Sequence, residues 1–389
     1  MQPIAAKDKI IFLLYVIALG SSCVHLYLKP IYAMDEVQYM GNALLMEDRD
    51  IVSVHHRVYD DLRQRVPAEI LRGLLGNDPS AQDDQNKSRQ ERARNPEALA
   101  QFLPVFAIRP LYNQSLWLLS KSGLGLVRSA TLISVASYFI IGIFLIDWIR
   151  QYTGAAFGST VAFLLMMSPP LTDMGRDLTS DAAATMLAFA SLYFIFEKQW
   201  LTLGLIVLLT ALFFRTDFVV LAGPVLFVCW LEGRIDLWKA GVLSLLAVGS
   251  VLMINHFAGD YGIKMLYYRN FVGTPIAPAE MTIHFSFHDY LAAFRSGLTL
   301  ALNSYLIPFL LLGFLGLGAI RLRPLFGVAL AYIGLHFIIL PNWQERWFGV
   351  FYLCCGICAV VALKNARIAS PPQSEVTLPP DSRSISATL

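Results

Sequence analysis

Four short stretches of this sequence place acids, most of them beside an arginine, at the ends of apolar runs. They are Asp35 and Glu36 in YAMDEVQYMGNALL, Arg176, Asp177 and Asp181 in SPPLTDMGRDLTSDAAA, Arg215 and Asp217 in FFRTDF, and Glu345 and Arg346 in PNWQERWF. A carboxylate can act as general base on an acceptor hydroxyl, and a guanidinium can neutralise the charge that develops on a departing phosphate. Taken singly, each group reads as a helix end, with Arg215 paired to Asp217 and Arg176 to Asp177. Taken together they point elsewhere, because an ionised group in mid-bilayer costs about 2.5–3.5 kcal/mol and one at a span end needs water, a partner or a role. A lipid-linked phosphosugar would supply the phosphate, its tail gaining about 0.8 kcal/mol per buried CH₂ in an apolar groove. Arg346 and Arg176 are the first candidates for the phosphate oxygens and Arg215 a third, since a guanidinium fork matches two oxygens at once. Asp177 and Asp181 either support the base in positioning the acceptor or hold an arginine. A further aromatic and cationic patch, Tyr261, Tyr267, Tyr268 and Arg269, would anchor at the interface or contact sugar or lipid phosphate.

These residues need a scaffold, and composition says which kind. Of 389 residues, 56% are hydrophobic and only 15% charged, against about 25% charged in soluble chains. With a mean hydropathy of +0.56, this excludes a water-soluble enzyme and fits an all-α polytopic membrane protein. The net charge of +2, without a basic tract, gives no reason to expect nucleic acid. Cys23, Cys229, Cys354, Cys355 and Cys358 all fall in apolar runs and read as packing residues rather than a disulfide or metal framework.

Apolar runs at about 10–28, 126–146, 154–169, 180–196, 200–214, 218–231, 237–256, 298–319, 325–340 and 347–363 predict about ten spans. With a cytoplasmic N terminus, Arg150, Lys198, Arg234, Lys239, Arg321, Arg323, Lys364 and Arg367 fall inside. The short outer connections keep Arg176, Arg215 and Arg346, as the positive-inside rule expects. All the acid and arginine clusters then lie on the outer face. Two outer loops are long, about 29–125 and 257–297. In the first, Leu99–Leu119 contains Pro104, Arg109 and Pro110 and reads as an interfacial helix, while the polar stretch 76–97 reads as a mobile loop. The expected organisation is one transmembrane catalytic domain over 1–368 and a disordered cytoplasmic tail over 369–389.

The pair Asp35–Glu36 in MDEVQY, shortly after the first span, resembles the D-E motif in the first external loop of GT-C glycosyltransferases, notably the H-P-D-E-x-F-Q form of polyprenyl-phosphate mannosyltransferases. NWQERWF at 342–348 is similar to the late H-K-E-x-R-F motif of that group, with Glu345 and Arg346 displaced by a residue. No His precedes Asp35 here, and Asn342–Trp343 replaces the late His-Lys. The resemblance implies a GT-C-like bundle with interfacial helices in a long first external loop. It implies transfer of a sugar, with inversion, from a polyprenyl-phosphate donor to an acceptor hydroxyl at the external or periplasmic face of an inner membrane. It also implies that Asp35 is the base and that Glu36 orients the acceptor or binds a metal where the family uses one.

A divalent cation stays open at this level: Asp35, Glu36 and Glu345 offer oxygen ligands suited to Mg²⁺ or Mn²⁺, and arginines could make a cation unnecessary. The outer-side histidines, His55, His56, His256, His284 and His288, lack an H-E-x-x-H arrangement and read as structural or acceptor-binding. The acceptor, a lipid, glycan or protein, is not identified. The alternative from another class is a transporter or flippase, which would carry its charges in a mid-membrane cavity with Asp35 remote from Arg346.

Overall fold

The computed structural model describes residues 6–260, 262–271, 273–280, 286–318 and 322–369; Tyr261, His284 and almost all of the expected tail lie outside them. Every regular element among the described residues is helical, and the only β-type pairing is an isolated parallel bridge between Ile31 and Asp177. The first span is α1 (Ala6–Leu28). The segment expected as the first outer loop folds as α2 (Met34–Leu45), α3 (Ile51–Arg65), α4 (Ala68–Leu74), α5 (Asp83–Arg94), α6 (Pro96–Ala107) and α7 (Pro110–Leu119). Then come α8 (Leu126–Arg150), α9 (Ala155–Met166), α10 (Pro169–Arg176), α11 (Asp181–Leu192), α12 (Leu201–Leu212), α13 (Val219–Leu231) and α14 (Leu237–Phe257). The segment expected as the second outer loop holds α15 (Gly262–Phe271), and α16 (Phe287–Leu302), α17 (Leu306–Leu315), α18 (Arg323–Ile339) and α19 (Gly349–Ala369) follow.

The chain is a membrane protein by the length and apolarity of its helices, but the ten expected spans are not all found. Among the described residues, four helical stretches are long and apolar enough to cross a bilayer: α1, α8, α14 and Glu345–Lys364. Two bent pairs, α9–α10 at 63° and α16–α17 at 66°, would raise the number to six, and α12, Thr216–Leu231 and α18 are shorter apolar helices. The shortfall is one of length. A twelve-residue helix such as α12 rises roughly 18 Å, well short of a hydrocarbon core of about 30 Å. The bend after α9 follows from Ser168-Pro169-Pro170, since proline cannot donate to the preceding turn but suits the first turn of the next helix.

The stretch 76–97, expected as a mobile loop, is instead largely helix. Residues 83–94, DDQNKSRQERAR, combine acids in the first turn with good helix formers behind them. Tertiary contacts then fix α5: Ser88 Oγ donates to the Pro275 carbonyl at 2.9 Å, and buried Arg92 lies 4.2 Å from the Phe102 ring centroid. The Leu99–Leu119 segment breaks at Arg109–Pro110 into α6 and α7, both partly buried under their neighbours.

Three apolar clusters are present among the described residues, two of them large. One, among the spans, gathers Leu19, Tyr138, Trp148, Phe189, Leu221 and Phe351. The other belongs to the α2–α7 segment and includes Val37, Tyr39, Val58, Leu62, Phe106 and Tyr112; it is rooted on Leu126–Ile133 of α8 and closed by Met265 of α15. The cavity described next has walls from both.

Candidate functional site

The chain leaves α1 at Lys29–Pro30 and runs extended beside the end of α10. Ile31 N donates to the Arg176 carbonyl at 2.9 Å, and Arg176 Nε returns a bond to the Lys29 carbonyl at 2.7 Å. This clasp sets the start of α2, whose first turn holds both acids of the DE pair. Unpaired N–H groups at a helix start favour negative charge there. Adjacent helical residues diverge by roughly 100°, so the two acids part company. Asp35 faces a cavity; Glu36 is fully buried among the packed helices of the α2–α7 segment.

That cavity holds about 270 Å³ and is lined by Asp35, Tyr39, Phe106, Arg109, Asp181, Arg215, Asp217, Arg269, Asn270, Asn342, Gln344, Arg346 and Trp347, among others. The charged groups arrive from several connections: Asp35 from the start of α2, Arg109 from the α6–α7 corner, Asp181 from the start of α11 with Asp177 just before it, and Arg215 and Asp217 from the α12–α13 turn. Arg269 comes from α15, and Arg346 from the 3-10 turn Glu345–Phe348. Close packing brings the last of these in. A Cβ on Gly349 would stand 2.8 Å from Met174 Sδ and 3.0 Å from Thr185, so the start of α19 lies tightly on α10 and α11.

The charges form one connected lattice. Arg346 Nη2 donates to Asp35 Oδ2 at 3.3 Å, its Nη1 to Asp177, and its Nε lies 3.2 Å from Asp181 Oδ2. Arg215 Nη1 donates to Asp181 Oδ1 at 2.7 Å and its Nε to Asp217 Oδ1 at 2.9 Å. His336 Nε2, buried in α18, is 3.1 Å from Asp217 Oδ2. Arg269 approaches Asp35 Oδ1 at 3.6 Å.

Electrostatics separates the two acids of α2. Burial alone would push the Asp35 carboxyl up, but Arg269, Arg346 and Arg109 outweigh it and hold the group below the ordinary aspartate range. Asp35 is therefore a carboxylate. For Glu36, burial acts in the same direction as the nearby charges of Asp177 and Asp61, so its carboxyl is held well above the ordinary range. Neither of its oxygens has a hydrogen-bond partner among the described residues. At Asp177, burial pushes the carboxyl up to about 6 against the pull of Arg346.

Of the residues expected at the site, Asp35, Asp177, Asp181, Arg215, Arg269 and Arg346 are thus brought together. Four are not. Arg176 spends its side chain on the Lys29 carbonyl and on Asp173 at 3.5 Å. Glu36 packs inside the α2–α7 segment, and Glu345 turns away from the cavity to accept from Tyr305 N at 3.0 Å and from the Tyr352 hydroxyl. Tyr268 packs against the core of that segment. Arg109, Asn342 and His336 were not singled out as site residues. His336 carries a signal in the sequence, a titratable side chain inside an apolar helix; Arg109 is visible there only as a charge within the single interfacial helix expected over Leu99–Leu119, which the structure divides at that residue.

The carboxylates do not suit a divalent cation. Among the described residues no group of three or more His, Cys, Asp or Glu side chains could share an ion, and the cavity's aspartates are directed at guanidinium nitrogens. Of the histidines, His55 Nε2 bonds the Arg92 carbonyl at 3.0 Å and His256 pairs with Asp260 at 2.9 Å, both away from the cavity. All five cysteines are buried and free. Compared with protein-family models, with curated protein sequences and with solved structures, the chain has no match.

Proposed function

We propose that this protein is a glycosyltransferase of GT-C type that moves a sugar from a polyprenyl-phosphate donor to an acceptor hydroxyl at the external or periplasmic face of an inner membrane. Both termini would be cytoplasmic. The observation that carries the reading is the contact of Asp35 with Arg346. An acid from the first outer loop and an arginine from the start of the last helix, the two stretches that resemble family motifs, meet at 3.3 Å in a polar cavity. The same contact favours a transferase over a transporter or flippase, for which the two residues would be apart.

In this reading Asp35 takes the proton of the acceptor hydroxyl as its oxygen attacks the anomeric carbon from the face opposite the phosphate. The bond from that carbon to the phosphate oxygen breaks, and its electron pair leaves with the polyprenyl phosphate, giving inversion. Guanidiniums lining the cavity meet the charge that develops there. No step is routed through a metal. The cavity, about 270 Å³, is near the lower end of ligand pockets, which run from about 300 Å³. It suits a head group, with the lipid tail left to the membrane.

The test is release of polyprenyl phosphate by the purified protein and by Asp35→Asn, each offered a panel of polyprenyl-phosphate sugars with membrane extract as acceptor source. General-base catalysis is worth about 10²–10⁴-fold, so the variant is expected to lose at least about a hundredfold in rate while folding and inserting normally. Transfer by the variant at the wild-type rate would remove Asp35 as base.

A further inference from the structure

The four arginines that line the cavity fall into two classes. Arg215 gives each of its nitrogens to a carboxylate: Nη1 to Asp181 at 2.7 Å, Nε to Asp217 at 2.9 Å, and Nη2 to the other oxygen of Asp217. Arg346 is similarly committed, to Asp177, to Asp35, and through Nε to Asp181 and Gln344. An incoming anion at either would have to displace carboxylates already seated, and would place its charge among those that remained.

Arg109 and Arg269 differ. Arg109 has no carboxylate or carbonyl hydrogen-bond partner among the described residues, and its buried Nη1 has no partner there at all. Its contacts are ring faces: its guanidinium carbon is 5.3 Å from the Tyr39 centroid and 5.4 Å from that of Phe106. The Arg269 guanidinium lies 5.6 Å from the same Phe106 ring, and its ionic contact is the 3.6 Å approach to Asp35, longer than a hydrogen bond. Two guanidiniums with donors to spare therefore flank one aromatic ring at the cavity wall.

We infer that Arg109 and Arg269 hold the anionic oxygens of a phosphate ester, and that Arg215 and Arg346 are positioning residues that fix the aspartates. Ring faces keep a guanidinium planar and oriented without neutralising it, and an unpaired buried donor gains most from an anion that reaches it. The residues come from separate outer loops, Arg109 from the α6–α7 corner and Arg269 from α15. A phosphate between them would also fasten the second loop onto the first. The assignment rests on the proposed reaction only in taking that phosphate to be the donor's.

The experiment measures binding of polyprenyl phosphate, of uncharged polyprenol of equal length and of inorganic pyrophosphate to the full-length protein in nanodiscs. It compares wild type, Arg109→Gln, Arg269→Gln and, as a control for loss of an outer-domain charge, Arg63→Gln. Thermal unfolding reports whether each variant is folded, and Arg109→Lys, which keeps the charge, replaces Arg109→Gln if that variant is not. Each glutamine variant is expected to lose roughly ten- to a hundredfold in affinity for the lipid phosphate, with polyprenol binding unchanged and Arg63→Gln like wild type. A lysine at 109 should lose less than a glutamine. Glutamine variants that bind polyprenyl phosphate within about twofold of wild type would overturn the subsite and leave the transfer reading standing. Pyrophosphate binding that depends on both arginines, with no polyprenyl phosphate binding, would uphold the subsite and overturn the lipid-linked donor. Wild type that binds neither anion would overturn both.

Discussion

Asp181 joins two arginines from distant parts of the chain, giving Oδ1 to Arg215 at 2.7 Å and Oδ2 to Arg346 at 3.2 Å. The α12–α13 turn and the start of α19 are thereby held to the start of α11, and the cavity wall depends on all three. Arg215 and Asp181 are almost wholly buried, and removing one partner of a buried pair leaves an uncompensated charge. Arg215→Met and Arg346→Met should each lose about 3–5 kcal/mol of stability on that argument. Because both release Asp181, the double variant should depart from the sum of the singles by about 0.5–3 kcal/mol. Unfolding of the four proteins in one detergent measures the cycle, and strict additivity would mean that Asp181 does not couple them.

Glu36 predicts a pH dependence of opposite sign to that of a paired carboxylate. Its folded carboxyl is held above its ordinary value of 4.5, so its share of stability is complete below that pH, where the unfolded chain is also neutral. As pH rises the unfolded chain releases this proton and the folded protein does not, so stability falls until the raised folded value is passed. Glu36→Gln is neutral throughout and should lack this decline. Melting temperatures of wild type and variant from pH 4 to 9 test it: the two curves should approach each other at the acid end, and curves that run parallel would show Glu36 ionised in the fold.

Much of the site could be read in the sequence, for a physical reason. Charges beside apolar runs are costly, so Asp35, Asp181, Arg215 and Arg346 stood out before their positions were known, and the fold brings them together. Their pairing was less legible. Arg215 does meet its neighbour Asp217, but Arg176, beside Asp177 in sequence, serves a carbonyl of the α1 exit while Asp177 takes Arg346 from the far end of the chain. Local spacing cannot reveal a partner supplied by tertiary packing. The same applies to α5, a polar helix held by Ser88 and Arg92 rather than by an apolar stripe. The DE pair misled in a different way, since adjacency in sequence suggests a shared task while helical geometry sends Glu36 into the packed interior.

On the proposed function, the acid limb of catalysis should belong to Asp35. Burial raises its carboxyl, but the arginines outweigh burial, so Asp35 remains ionised down through the ordinary aspartate range of about 3.9. Arg269 is the largest of these opposing influences. Arg269→Gln should therefore move the acid limb of kcat/KM to higher pH, in addition to any loss of affinity. A limb that stays in place while KM rises would confine Arg269 to binding.

The placement of Asp177 should depend on a residue with no side chain. Gly175 lies in the last turn of α10, where an added Cβ would come within 2.8 Å and 2.9 Å of Tyr138 ring atoms. Tyr138 is fully buried and its hydroxyl is fixed to the Met166 carbonyl at 2.6 Å, so the ring has little room to yield. Gly175→Ala should then shift the end of α10, and with it both the Arg176 clasp and the Asp177 contact to Arg346. Overpacking of this kind costs about 1–3 kcal/mol, which predicts a lower melting temperature. A displaced Asp177 would loosen Arg346 and the orientation of Asp35, so kcat should fall more than KM rises. A variant with lowered stability and unchanged kcat would mean that the lattice tolerates movement of α10 and that Asp181 alone keeps Arg346 in place.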